Sequence, residues 1–249
     1  MKNIYTIIYV LFAFFLLSCS QHNRQDYTAR PLRILFIGNS LTHYNGGLDY
    51  QLRKMFAQSS PKLLIYSDKV APGGERLSGH YSKGKALRRI KEQKWDIVVL
   101  QEYSNVPIIN KEDFYKYSKL FVEEIRKRGS NAIFYMTFSY KANPEMTALL
   151  SGSYLSVGRE LECDVVPVGI AWDKVLMRRP SMEMYTDFKH PSPNGTYLAA
   201  CMFYSFLTGL HPSISQYTNG LDAEDAAFIQ DIAWETVSEW KKYNEPTSK

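Results

Sequence analysis

The run Asp96-Ile97-Val98-Val99-Leu100 constrains the fold more than any other stretch of the chain. Three β-branched residues and a leucine in succession, with polar residues on both sides, predict a strand buried on both faces. Such strands belong to parallel sheets covered by helices on each side, so helices must alternate with strands along the chain. They do. Further apolar runs lie at 33–37, closed by Gly38, and at 63–70, 132–138 and 164–168. Helical patterns are expected over about 48–58, 83–93, 111–128, 193–208 and 222–242. Asn110 is placed to cap the third of these, and Gly129 ends it. Asn143-Pro144 opens another helical region, in which Gly152 and Gly158 predict an interruption. Five strands interleaved with helices make an α/β domain around a five-stranded parallel sheet. In such sheets functional groups gather at the carboxyl ends of the strands.

Composition is consistent with one globular domain over residues 31–243. Hydrophobic residues make up 45% of the chain and charged residues 22%, which excludes a disordered or fibrous protein. The net charge is +5, and the short basic runs Arg88-Arg89, Arg126-Lys127-Arg128 and Arg178-Arg179 fall on predicted helices or at their ends. There they read as solvated faces complementing helix dipoles. With no zinc-finger spacing, basic arm or RNA-binding aromatic motif, a nucleic-acid partner is not expected. The 18 tyrosines fit either a Tyr-rich core or surfaces for flat, sugar-like partners.

The first residues predict a compartment. Lys2 precedes an apolar stretch from residue 4 to 17, shorter than the about 20 residues a membrane span needs. Leu16-Leu17-Ser18-Cys19 resembles a bacterial lipobox. Residues 1–18 are then a lipoprotein signal peptide, Cys19 a lipidated N-terminus and 19–30 a tether. That places the protein on a membrane of the bacterial envelope, facing the periplasm or at the outer membrane. An uncleaved anchor or an ordinary secretory signal is the alternative. Cys163 and Cys201 sit among apolar neighbours and are expected as buried free thiols, although a disulfide is permitted outside the cytoplasm.

Two segments carry chemistry. The first strand ends in Gly38-Asn39-Ser40-Leu41-Thr42, which presents a serine hydroxyl directly after a tight turn. In isolation it reads first as a helix cap or a turn serine, and Thr42 stands where the nucleophile elbow of α/β-hydrolases needs Gly. Near the other end, Asp187-Phe188-Lys189-His190-Pro191 sets a carboxylate and an imidazole three residues apart. In one tight turn the carboxylate can orient the imidazole as a general base, and Pro191 restricts His190 to extended geometry.

With both segments present, the chain resembles the SGNH hydrolases, the GDSL-type lipases and esterases. The resemblance spans about residues 32–210. It rests on Gly38-Asn39-Ser40-Leu41, on the loop Pro72-Gly73-Gly74-Glu75 and on Asp187 to His190. It is strengthened by Leu41 to Asn45, Trp95 to Ser104 and His190 to Ala200, which look like an uncharacterised bacterial branch of that family. The resemblance implies a three-layer α/β/α, flavodoxin-like fold and a serine esterase with Ser40 as nucleophile, His190 as base and Asp187 as its orienter. The oxyanion would be held by the N–H groups of Ser40 and Gly74 and by a side-chain amide after the third strand.

That third block departs from the usual Gly-x-Asn-Asp. Gln101 is the expected donor and Asn105 the runner-up, unless Gln101 merely pins the loop. His43, Tyr44, His80, Tyr103 and Trp172 are candidates for lining the pocket, with Tyr81 also expected near it; His80 reads equally as a surface histidine. Neither a metal nor a cofactor is implied.

The partners expected are a small-molecule or glycan ester and, through Cys19, a membrane. Short acyl groups, acetyl above all, on carbohydrate are the leading substrate. A lysophospholipase or lipase-type esterase, and a catalytically idle carbohydrate-binding module on the same scaffold, are the alternatives.

Overall fold

The computed structural model of the chain describes residues 27–244. The expected signal peptide, Cys19 and residues 20–26 of the tether lie outside them. A central sheet of five parallel strands has the order β2-β1-β3-β4-β5. The strands are β1 (Leu32–Ile37), β2 (Ile65–Val70), β3 (Ile97–Leu100), β4 (Asn131–Tyr135) and β5 (Asp164–Val166). The expected three-layer, flavodoxin-like arrangement is present.

Period-two alternation distributes each strand between two cores. Ile34, Phe36 and Val99 point to one helical layer, made of α2 (Leu48–Ala57), α8 (Val168–Arg178), α9 (Pro193–Thr208) and α10 (Ala223–Asn244). Leu35, Ile37, Val98 and Leu100 point to the other. That layer holds α3 (Leu77–Lys83), α4 (Lys85–Glu92), α6 (Lys111–Arg126) and α7 (Met146–Glu160). Two single-turn helices complete the set, α1 (Ser40–His43) after β1 and α5 (Val106–Ile109) after β3. Among the described residues, no helix is long and apolar enough to cross a membrane.

The helix expected over 83–93 is α4, and an unexpected helix, α3, precedes it, ended by Gly84 in a left-handed conformation. The break expected at Gly152 and Gly158 does not occur; α7 runs through both, and Gly158 lies against Val165 and the Cys163 carbonyl. Helix α8 was not expected from the sequence; it starts at Val168, directly after β5 and Pro167. The cysteines are free as expected, Cys201 buried but Cys163 only half-buried.

Register places the site. Ile37 pairs with both Val70 and Leu100, so β1, β2 and β3 end level with one another. The segments that follow, beginning at Gly38, Ala71 and Gln101, therefore emerge side by side on the same edge of the sheet.

Candidate active site

Gly38 makes the turn out of β1 possible. A Cβ there would sit 2.4 Å from Gln101 Oε1 and 2.5 Å from Thr42 Oγ1, closer than any side chain tolerates. Asn39 then caps α1, its Oδ1 accepting the Leu41 N–H at 3.1 Å. Ser40 is the first residue of that helix. Its own N–H is one of the orphan donors of a helical first turn and has no partner among the described residues.

The turn that carries His190 is built from its own residues. Asp187 Oδ1 accepts the N–H groups of Lys189 (2.8 Å) and His190 (2.7 Å). Thr186 N–H donates to the His190 carbonyl at 2.9 Å, and Tyr185 bridges Pro191. The other Asp187 oxygen, Oδ2, accepts from His190 Nδ1 at 2.7 Å. A carboxylate can only accept, so the proton lies on Nδ1 and Nε2 is left as acceptor. Ser40 Oγ lies 3.0 Å from that Nε2. The bond to His190, joined by the two backbone N–H groups, holds the Asp187 carboxyl far below the usual carboxylate range. Ser40, His190 and Asp187 thus form one continuous chain of hydrogen bonds.

The loops around Ser40 are joined to it by side chains. Asn39 Nδ2 donates to the Glu75 carbonyl at 2.9 Å. His43 Nδ1 donates to the Ala71 carbonyl at 2.6 Å. The loop after β2 is therefore held at both ends by the nucleophile segment. Gly74 lies between those anchors at φ +70°, with open space where a Cβ would be, and its N–H has no partner among the described residues. On the other side, Asn45 Nδ2 donates to the Pro191 carbonyl (3.0 Å) and to Thr196 Oγ1 (2.8 Å).

The two amides after β3 have opposite fates. Gln101 is buried and held at both its oxygen and its nitrogen. Its Oε1 accepts from Asn39 N–H (2.9 Å) and Thr42 Oγ1 (2.8 Å), while its Nε2 donates to the Glu102 carbonyl (2.5 Å). These bonds tie the nucleophile turn to β3, so Gln101 pins the loop; one Nε2 hydrogen has no partner among the described residues, but the residue is only 1% exposed. The Asn105 side chain makes no hydrogen bond among the described residues, and its Oδ1 is buried without a partner.

The expected pocket residues divide likewise. Tyr44 stacks on the His190 ring, 4.4 Å between centroids and 5° between planes. His43 stacks behind Tyr44 and holds the loop after β2. Tyr103 is half-buried, its hydroxyl 3.3 Å from Lys189 Nζ. His80 does not line a pocket. It is buried, and its Nε2 donates to the Gly38 carbonyl at 2.7 Å; burial lowers its pKa. Trp172 is fully buried and stacked on Phe138 at 3.6 Å, in the core. Tyr81 packs against Tyr117 and Phe121 of α6, also away from Ser40. These corrections share one cause: a large side chain in an α/β layer finds its partners within the core first.

Three functional neighbours escaped the sequence reading. Asn39 was detectable as a capping residue before a short helix. Asn45 was not, because its partners lie about 150 residues away in the chain. Glu102 was detectable by alternation, since it continues the inward side of Leu100. Its carboxylate is buried, accepts the Leu77 and Tyr103 N–H groups at 3.2 and 2.6 Å, and is pushed by that burial to a pKa of about 7. Among the described residues, no group of three or more His, Cys, Asp or Glu is arranged to hold a metal ion. A cleft lined by Arg126, Gly158, Cys163 and Asp164 opens at the amino ends of β4 and β5, the end of the sheet opposite Ser40.

No family model and no curated protein matches the chain in sequence. Solved structures do match it in fold. A DUF4886 family protein from Bacteroides uniformis superimposes with a TM-score of 0.72 at 17% identity, over 84% of this chain and 95% of that one. A protein from Slackia heliotrinireducens, assigned to the SGNH hydrolases, does so at 0.57 and 24% identity, over 68% and 95%. A catalytic mutant of an acetylxylan esterase from Geobacillus stearothermophilus gives 0.58 at 15%, over 72% and 94%. The chain has the fold of the SGNH hydrolases, the fold its sequence motifs implied.

Proposed function

We propose that the protein is a serine esterase that removes short acyl groups, acetyl foremost, from a hydroxyl-rich compound such as a carbohydrate. The observation that carries this reading is the unbroken chain from Ser40 Oγ through the His190 ring to Asp187. In the reaction, Ser40 Oγ bonds to the ester carbonyl carbon as its proton passes to His190 Nε2. The carbonyl π electrons move onto oxygen, and the resulting oxyanion is met by the N–H groups of Ser40 and Gly74 and by the Asn105 amide. Collapse breaks the carbon–oxygen bond to the alcohol, which leaves with the proton from His190. Water then attacks the acyl-enzyme, giving its proton to His190, and the carboxylic acid departs as Ser40 is reprotonated. Asp187 holds the imidazole tautomer throughout and stabilises the imidazolium.

The acetylxylan esterase among the matched folds is in keeping with acetyl as the acyl group. A wholly idle binding module is disfavoured because nothing in it would require Ser40, His190 and Asp187 to be aligned. Ser40→Ala should abolish hydrolysis of p-nitrophenyl acetate, a loss of about 10⁴ or more. It should leave the melting temperature nearly unchanged, because among the described residues Ser40 Oγ bonds only to His190. Residual activity within tenfold of the parent would remove Ser40 from the mechanism. The lipobox at 16–19 supports attachment to an envelope membrane through Cys19; mass spectrometry of the mature N-terminus should find a lipidated Cys19, and a retained Met1 would refute it.

A further inference from the structure

Two cations bracket one ring beside the candidate nucleophile, and neither forms an ion pair among the described residues. Arg76 and Lys189 lie 5.6 and 5.4 Å from the centroid of Tyr103, and Lys189 Nζ donates to its hydroxyl at 3.3 Å. They come from separate loops. Arg76 follows the Gly74-Glu75 turn that Asn39 holds against Ser40, and Lys189 immediately precedes His190.

The nearby acids are engaged elsewhere. Asp187 is occupied by His190 and two backbone N–H groups, and Glu75 by Lys83. Glu102 is buried and bonded to the Leu77 and Tyr103 N–H groups; Arg76 is near enough to favour its charged form but makes no ion pair with it among the described residues. Arg76 is exposed and Lys189 half-buried, so both can meet a ligand. An Arg–Lys pair with no ion-paired acid beside an aromatic platform, within one or two residues of groups that would contact the reacting ester, suits an oxyanion on a planar or ring-shaped substrate.

We infer that the acylated substrate carries an anionic oxyacid group, a carboxylate or a phosphate, that docks between Arg76 and Lys189 over Tyr103 while its ester lies at Ser40. This inference rests on the esterase reading and narrows its substrate class. An uncharged sugar acetate would leave the bracket unused, whereas an acetylated sugar acid or sugar phosphate would fill it.

The test is a charge series of aryl acetates: 4-acetoxybenzoate, 4-acetoxyphenyl phosphate, methyl 4-acetoxybenzoate and 3-acetoxyphenyl-trimethylammonium. Each kcat/KM is divided by that ester's alkaline hydrolysis rate to remove leaving-group effects. The full chain should prefer an anionic member over the neutral one by about tenfold or more at low ionic strength, with the cation poorest, and 0.5 M salt should compress the order. Which anion leads distinguishes carboxylate from phosphate. In the Arg76→Gln, Lys189→Gln double variant the anion-to-neutral ratio should fall about tenfold, and the single variants should fall between. Ser40-dependent hydrolysis that is blind to charge, or a ratio unchanged in the double variant, overturns the anionic substrate and leaves the esterase standing. No Ser40-dependent hydrolysis of any member overturns the esterase reading, and this inference with it.

Discussion

The nucleophile segment, residues 38–45, and the turn at 185–191 meet at the Ser40–His190 and Asn45–Pro191 hydrogen bonds but are built in opposite ways. The first is buried on nearly all sides, with Asn39, Thr42, Gln101 and His80 each at most 3% exposed. It is held by side chains that reach the loops after β2 and β3 and the start of α9. The second is open to solvent. Phe188 is 60% exposed, and its shape comes from bonds between neighbours three or four residues apart. The rigid partner carries the serine, and the exposed one carries the histidine. The contrast teaches that an uncommitted polar group near Ser40 is the informative one, because every committed group there is already part of the scaffold.

Three substitutions sharpen or break this contrast. The largest effect on turnover is expected from Asn105→Ala. Its amide is free to meet charge that appears only in the transition state, so kcat should fall by about 10²–10³ with little change in KM or melting temperature. Gln101→Ala should behave oppositely. It leaves the Asn39 N–H, the Thr42 hydroxyl and the Glu102 carbonyl without a partner, which should cost on the order of 2–4 kcal/mol in urea unfolding. Its kinetic effect should fall on KM, with kcat within about tenfold. The reverse ranking would return the donor role to Gln101 and collapse the distinction between scaffold and site.

The third prediction concerns pH. Burial lifts Glu102 from its ordinary 4.5 to about 7, so between those values the folded chain keeps a proton that the unfolded chain releases. Its contribution to stability is therefore fully present below about pH 4.5, declines as the pH rises to about 7, and is flat above. Glu102→Gln should remove that slope, worth on the order of 3 kcal/mol across the window. The stability difference between parent and variant, followed by urea unfolding at several pH values, reads it directly. A pH-independent difference would mean that Glu102 titrates as an ordinary exposed carboxylate.

The layered α/β architecture was legible because buried parallel strands announce themselves as short β-branched runs, with Ile97 to Leu100 the plainest. Asp187 and His190 were legible because their geometry is local: three residues apart in one turn, they can hardly fail to meet. Asn110 and Ser192 cap their helices by the same short-range rule. Tertiary structure decided the rest. Which of Gln101 and Asn105 the nucleophile turn consumes follows from β1 and β3 ending in register, which sets Gln101 beside Gly38 and Asn39. His80 and Trp172 read as pocket residues until the packing of α3 beneath Gly38, and of α8 against Phe138, claimed their faces. The bracket of Arg76 and Lys189 is likewise invisible in a linear chain, because 112 intervening residues separate its halves and only the parallel sheet brings their loops to one edge.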